Sequence, residues 1–247
     1  MNILVLMAGD SKQFYDKGYK HPKPLIEVNG RMIIELVANS IINLRDSKDK
    51  VIFAIKRDDD QKYYISNIIK LLIEDAVIII VESVTAGAAC TALLAVEHID
   101  NNEELLIVNG DQIIDIEYKD LLKNLGSGDY SAGIVVFKSV HPRWSYVKLD
   151  SKKNVVEAAE KVPISNNATA GTYFFKSGKD FVNYTKKMIM KDANTDGAFF
   201  ICPVFNEMIL DGRQIVTTEI EPHNYHSLMS PSLIEEYRVK NHNVWNW

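Results

Sequence analysis

The chain of 247 residues, 47% hydrophobic and 25% charged, has an ordinary globular composition with room for one large, well-buried α/β domain. A formal charge of −5 without any basic block argues against a nucleic-acid groove. No apolar run approaches the roughly 20 residues of a membrane span, and Cys90 and Cys202, far apart in apolar surroundings, read as small buried hydrophobes of a reducing cytoplasm rather than as a disulfide.

The opening MNILVLMAGD has no basic segment before its apolar run and turns polar after Ala8, so it reads as a first strand rather than a secretory signal. An extended Pro22-Lys23-Pro24 follows, then a strand-like stretch over 25–28 that ends in the turn Asn29-Gly30, and an amphipathic helix over 33–44. A short buried strand is expected at 51–55. The next helix, over 59–74, keeps Tyr64, Ile65, Ile68, Ile69 and Leu72 at helical spacing. A β-branched run at 77–81, an alanine-rich helix over 88–98 and a strand at 105–108 continue the alternation. Continuous apolar strands alternating with helices predict a parallel sheet covered on both faces, with ligands at the carboxyl ends of its strands.

From Asp129 the pattern shifts to shorter, more alternating strands at 132–138, 145–149, 155–157 and 172–175. Helices over 179–190 and 198–210, a strand at 214–220 and a last helix over 232–239 complete the chain. Ser230 is the expected N-cap of that last helix, with Pro231 at its first position. The tail 242–247 carries two tryptophans, read as docking on the domain. There are no internal repeats, low-complexity linkers or heptads.

Five stretches carry candidate chemistry. The small-residue turn after the first strand, Met7-Ala8-Gly9-Asp10-Ser11, lets backbone N–H groups approach a phosphate without side-chain obstruction. Lys23, between two prolines, sits on a stiff extended backbone that aims its ammonium at a defined place. Asn109-Gly110-Asp111 leaves the fourth strand with a carboxylate where a nucleotide's Mg²⁺ would lie. Residues 85–91 are small enough for a flat base to pack on their backbone, and Glu160-Lys161 precedes Val162-Pro163. On residues alone each has a plain reading too: a tight turn capping a helix, a close strand-to-helix connection, a solvated lysine or a solvated loop. The six histidines show no zinc-like spacing with cysteines and read as structural or surface groups.

Taken together, Met7-Ala8-Gly9, Phe14, Gly18-Tyr19, Pro22-Lys23-Pro24-Leu25-Ile26, Val28 and Gly30 fall in register with the opening of the sugar-phosphate nucleotidyltransferases. The chain resembles that pyrophosphorylase-like family, and is most similar to a capsule-biosynthesis subgroup that includes phosphoglutamine cytidylyltransferases. The resemblance extends from Met1 to about Tyr237 and implies an α/β, three-layer Rossmann-like GT-A fold with a mixed, mostly parallel central sheet. One domain over 1–247 is expected, with a nucleotide-binding half at 1–128 and an acceptor-binding half at 129–247.

The resemblance implies a role for each motif. Lys23 is the catalytic cation; Met7, Ala8, Gly9, Asp10, Ser11, Lys12, Thr85, Gly87, Ala88, Asn109 and Gly110 hold the nucleotide; Asp111 is the ligand of Mg²⁺, with Mn²⁺ as an alternative. Glu160, Lys161, Gly171, Tyr173 and Asp196 belong to the acceptor side. The departures are equally specific. Ser11-Lys12-Gln13 stands where the family has Gly-Ser-Arg, so Lys12 offers a point charge one position early in place of a planar fork. Arg31-Met32 replaces Lys-Pro, Ala198 replaces a glutamate beside Asp196, and Ser227 takes the place of a second metal carboxylate, which leaves water, Ser227, His223 or His226 to fill that position.

The expected reaction joins an NMP from an NTP to a small phosphorylated acceptor and releases pyrophosphate, with Mg²⁺ as cofactor. CTP is the favoured donor, with UTP or dTTP second, and a phosphoglutamine-like compound or a sugar phosphate is the acceptor. A cytoplasmic setting in capsular polysaccharide biosynthesis follows, with no nucleic-acid or membrane partner and with a homo-oligomer compatible. A GT-A glycosyltransferase is disfavoured because Asp111-Gln112-Ile113 lacks the usual Asp-x-Asp pair. A non-catalytic nucleotide-binding member is the rival that Ser11-Lys12-Gln13, Ala198 and Ser227 motivate.

Overall fold

The computed structural model describes residues 1–117, 119–121 and 128–240. Strands form where the β-branched and aromatic runs lie: β1 (Asn2–Leu6), β2 (Glu27–Val28), β3 (Arg31–Met32), β4 (Lys50–Lys56), β5 (Val77–Val81), β6 (Leu105–Asn109), β7 (Gln112–Ile114), β8 (Ala132–Lys138), β9 (Ser145–Leu149), β10 (Val155–Glu160), β11 (Asn167–Phe175), β12 (Ile215–Ile220) and β13 (Tyr225–Ser227). Nine of them form one sheet in the order β10-β9-β11-β6-β1-β4-β5, with β8 also paired to β11 and β12 to β8. From these pairings seven strands run one way and only β10 and β11 the other, so the sheet is mixed and mostly parallel. β5, β4, β1 and β6 form a wholly parallel block, and β11 reverses direction beside β6.

Alternate side chains of the parallel block feed two separate cores. Ile3, Val5, Leu106 and Val108 pack with the helices Ile33–Leu44 and Ile65–Leu72. Leu4, Ile52, Leu105 and Ile107 pack on the opposite face with Ala88–Leu93, Gly178–Met190 and Val204–Leu210. Two apolar faces covered by helices make the expected three-layer α/β architecture. No helix among the described residues is long and apolar enough to cross a membrane. Cys90 and Cys202 are both free; Cys202 is buried and Cys90 half-buried.

Several elements differ from the expected pattern for local reasons. The helix expected over 59–74 is two helices, Arg57–Tyr63 and Ile65–Leu72, because Tyr64 adopts a left-handed conformation (φ 54°, ψ 42°) that ends the first. The alanine-rich segment likewise divides into Ala88–Leu93 and Val96–Ile99. Residues 198–203 are not helical: Pro203 caps the helix Val204–Leu210, and the Phe199 backbone instead bonds the 86–89 loop. The strand-like 25–28 is a 3₁₀ turn at Lys23–Leu25 followed by β2, which pairs with β3 across the Asn29-Gly30 turn. Both turn residues have positive φ (50° and 81°), the two-residue hairpin geometry that Asn-Gly favours. Ser230 does cap the last helix, Pro231–Lys240, its hydroxyl accepting the Leu233 N–H. The tryptophan-bearing tail 242–247 lies outside the described residues.

Candidate active site

A cavity of about 860 Å³ opens at the carboxyl ends of β1, β4, β5 and β6 and continues across the start of β9, the end of β10 and the middle of β11. Its position is the one where ligands enter open α/β sheets, beside the point at which strand direction changes.

The loop after β1 forms the centre of one wall. Ala8, Gly9 and Asp10 line the cavity, while Met7 is buried behind it with its N–H on the Ala54 carbonyl at 2.9 Å. A Cβ on Gly9 would lie 3.1 Å from the Lys23 ammonium, so a bare α-carbon is what lets the lysine come this close. Asp10 folds back on its own loop, accepting the Lys12 N–H at 3.0 Å, and Lys12 itself is exposed on a short helix, Lys12–Tyr15, off the cavity wall. Ser11 is buried and accepts the Lys23 N–H at 2.9 Å. The flanking Pro22 is extended, as the prolines predict, but Lys23 itself opens the 3₁₀ turn.

Lys23 and Asp111 meet. The lysine Nζ lies 2.5 Å from Asp111 Oδ2, with side-chain exposures of 10% and 23%, so the pair is only partly screened by water. Gly110 gives the crossing its room: a Cβ there would lie 2.8 Å from the Leu6 carbonyl, and its N–H bonds that same oxygen. Beyond Asp111 the chain enters β7, which pairs antiparallel with β13 and sets Ser227 opposite Gln112. The Asp111 carbonyl accepts the Leu228 N–H at 2.8 Å, and Ser227 and Met229 thereby join the cavity lining.

At the β4 and β5 end, Thr85, Gly87, Ala88 and Thr91 line the wall. The two threonine hydroxyls are 2.7 Å apart and both bond the Gly87 carbonyl, which freezes the loop. Gly87 has φ of 112°, and a Cβ would stand 2.4 Å from the Phe199 carbonyl. Arg57 and Glu82 pair through both carboxylate oxygens at the exposed outer edge of this end, and that pairing holds the Glu82 carboxyl below its ordinary value.

The opposite end is built of larger side chains. Glu160, at the end of β10, is buried and accepts the Ser145 hydroxyl; burial pushes its carboxyl up, against the opposing pull of Ser145 and of the Lys161 charge. Lys161 turns through φ of 56° and places Nζ 5.0 Å from the Phe200 ring centre. Tyr173 is buried with its hydroxyl 3.0 Å from Thr169 Oγ1, and burial pushes its phenol well up. Gly171, at φ of 58°, interrupts the register of β11; a Cβ there would sit 2.2 Å from Gln112 Oε1 and 2.4 Å from Asn109 Nδ2. Burial also pushes the Cys202 thiol far above its usual range, which keeps it a protonated core group.

Ala8, Gly9, Asp10, Thr85, Gly87, Ala88, Asn109, Asp111, Glu160, Lys161, Gly171 and Tyr173 therefore line one cavity. Met7, Ser11, Lys23 and Gly110 stand directly behind it. Asp196 does not reach it: it is exposed at φ of 53° in a tight turn where Asn194 Oδ1 accepts the Gly197 N–H. The sequence did not point to Arg143, Trp144 or Tyr225, which also line the cavity, with Arg143 stacked 5.3 Å over Trp144 and Trp144 edge-on to Tyr225. They come from an irregular segment and from β13, and no local motif marks either.

The donor set for a cation is sparse. Among the described residues no group of three or more His, Cys, Asp or Glu side chains is arranged to hold a metal. Asp111 with the neighbouring Ser227 hydroxyl suits a hard ion that takes most of its oxygens from a bound phosphate rather than from a protein cage.

Residues 2–217 match the family described as Nucleotidyl transferase. The bifunctional protein GlmU of Methanocaldococcus jannaschii is 26% identical over 186 residues, covering 71% of this chain and 40% of that protein. The chain thus spans less than half the length of the curated relatives it matches. A nucleoside-diphosphate-sugar pyrophosphorylase from Vibrio cholerae RC9 superposes with a TM-score of 0.84 at 23% identity, over 96% of this chain and 99% of that one. The inositol-1-phosphate CTP transferase from T. maritima gives 0.73 at 13% identity, over 97% and 96% of the two chains. Both share the fold. With the family pattern matched over residues 2–217 on that fold, the chain belongs to the nucleotidyl transferase family.

Proposed function

We propose that the protein is a nucleotidyltransferase that moves an NMP from an NTP to a small phosphorylated acceptor and releases pyrophosphate. CTP is the favoured donor, with UTP or dTTP second; the acceptor is a phosphoglutamine-like compound or a sugar phosphate, and the setting is cytoplasmic capsular polysaccharide synthesis. Family membership supports the transfer chemistry, and the resemblance of the opening residues 7–30 to the capsule subgroup is the ground for favouring CTP. The observation that carries the reading is the Lys23–Asp111 pair at 2.5 Å: Asp111 lines the cavity that Gly9, Gly87 and Glu160 also line, and Lys23 reaches it from directly behind the wall.

In this reading the NTP lies along the half spanning 1–128, with its phosphates on the Ala8–Ser11 amides and its base beyond Gly87. The acceptor lies along the half spanning 129–247, its phosphate near Lys161. An acceptor phosphate oxygen attacks the α-phosphorus in line, a new P–O bond forms, and the bond to the departing pyrophosphate breaks. Charge spreads over the α-phosphoryl oxygens, so the chain's task is to place groups and neutralise charge. Lys23, whose ammonium rests on the Asp111 carboxylate at 2.5 Å, is the cation for those oxygens. Asp111, with Ser227 beside it, would hold Mg²⁺ or Mn²⁺, which when bound supplies further charge neutralisation on the phosphates.

The test is exchange of labelled pyrophosphate into each NTP in turn. Exchange with CTP above all others supports the full reading; exchange with UTP or dTTP alone keeps the transfer and moves the donor. A protein that binds NTPs in calorimetry and exchanges none of them is the non-catalytic member that Ser227, in place of a carboxylate, would favour.

A further inference from the structure

Between Pro22 and Pro24 the Lys23 amide is the only backbone donor, because proline has no N–H. It stands at the opening of a 3₁₀ turn, where the first amides have no partner within the turn, and it is buried with a residue exposure of 8%. Ser11 supplies the acceptor: its hydroxyl takes the Lys23 N–H at 2.9 Å from a position only 1% exposed. Ser11 is itself fixed at the other end, since its carbonyl receives the N–H groups of Phe14 and Tyr15 at 2.9 and 3.2 Å. Its backbone (φ −108°, ψ 7°) is open to any residue, so nothing in the chain path demands the glycine that the resemblance places there. What the serine adds is a tie between the phosphate-facing loop and the lysine.

We propose that Ser11 is a positioning residue for Lys23. Its hydroxyl anchors the lysine backbone to the loop that carries Gly9 and Asp10, and so fixes where the ammonium emerges beside Asp111. A lysine has a long, rotatable stem, and its tip is defined only as well as its root. Here the root is held by Ser11 and the tip by Asp111 at 2.5 Å. Removing the hydroxyl leaves a buried amide without an acceptor and loosens the root, which keeps its flanking prolines and the Ile26 N–H on its carbonyl at 3.2 Å, while the tip's partner stays in place. The role rests on reading Lys23 as the cation of the transfer site.

The experiment compares Ser11→Ala and Ser11→Thr with the unaltered protein by two readouts. In pyrophosphate exchange, Ser11→Ala should lower kcat about tenfold with KM for the NTP within about twofold, and Ser11→Thr, which keeps a hydroxyl, should recover most of the rate. In NMR spectra of the ¹⁵N-labelled lysine ammonium groups, assigned by the signal lost in Lys23→Ala, the Lys23 resonance should shift or broaden in Ser11→Ala and stay near its place in Ser11→Thr. The idea is overturned by a Ser11→Ala protein with kcat within about twofold of the parent, or by an ammonium resonance that does not move. If the unaltered protein exchanges no NTP, the transfer reading fails by itself, and the resonance alone then decides whether Ser11 holds Lys23.

Discussion

The two ends of the cavity are made of different material. At the parallel end, from β5 to β6, the inner wall is backbone and small side chains, Ala8, Gly9, Gly87 and Ala88; Lys56, Arg57, Asp58 and Glu82 also line this end, and Asp111 is held from behind the wall by Lys23. At the antiparallel end, around β9 to β11, the wall is side chain: Glu160, Lys161, Tyr173, Trp144 and Tyr225. Parallel strands end together and hand their chains to helices through short turns, which brings amides to a shared edge. Antiparallel strands alternate their side chains at the rim and present particular functional groups instead. Under the proposed function, the end rich in small residues takes the phosphates that all NTPs share, and the end made of larger side chains takes the acceptor. The ends are also locked into each other by two glycines. Gly87 of the first half admits the Phe199 backbone, and Gly171 of the second admits the Asn109 and Gln112 amides.

The largest effect expected is on the charge at the junction. Lys23→Ala should lower kcat in pyrophosphate exchange by about 10²–10³-fold, or about 2.7–4 kcal/mol, with a smaller change in NTP affinity. Lys161→Ala should act differently, raising KM for the acceptor more than it lowers kcat. If the two variants had the same signature, the division between a chemical end and a recognition end would be lost. Next in size is Gly87→Ala. Its Cβ would press on the Phe199 carbonyl at 2.4 Å, from a backbone with φ of 112° that side chains rarely adopt. A loss of roughly 1–3 kcal/mol in urea unfolding is expected. An unchanged midpoint would mean that the two ends are not tied there.

The same contrast decides what could be read from the amino-acid order. The parallel end was legible because its signals are local: continuous apolar strands, small-residue turns and a Pro-Lys-Pro all lie within a few residues of one another. Lys23 and Asp111 stand in separate sequence motifs, and the structure brings them to 2.5 Å. The antiparallel end was less legible. β11 begins at Asn167, well before the expected 172, because the left-handed kink at Gly171 disguises one long strand as a loop and a short strand. Residues 198–203 have a helix-compatible composition, yet Phe199 spends its backbone groups on Ala86 and Ala89, a long-range pairing without a periodic trace. The sequence neighbours of Asp196 point to the acceptor side, while the turn at Gly197 carries it into solvent. Only the family resemblance marks Ser227; its proximity to Asp111 depends on β13 pairing with β7.

Two smaller predictions bear on the side-chain end. Tyr173→Phe removes the 3.0 Å bond to Thr169 and leaves the ring packing against Phe205 intact. A cost of about 1 kcal/mol in unfolding free energy is expected. No change would mean that the hydroxyl contributes nothing to holding this wall.

The smallest effect is a pH dependence at Glu160. Burial raises its carboxyl above the ordinary value of 4.5, with Ser145 and Lys161 pulling the other way. Below pH 4.5 the group is protonated whether the chain is folded or not, and the fold keeps its full stability. As pH rises through the elevated folded value, the unfolded chain releases its proton more readily than the native one, and stability falls. Glu160→Gln keeps an acceptor for the Ser145 hydroxyl and cannot ionise, so it should be spared that loss. The difference in urea unfolding free energy between Glu160→Gln and the parent should therefore grow in favour of the variant from pH 4.5 upward and level off once the native carboxyl has ionised. A difference that stays flat over this range would mean that water reaches Glu160 freely. The side-chain end would then be as open as the amide end, and the desolvated pocket that distinguishes it would be gone.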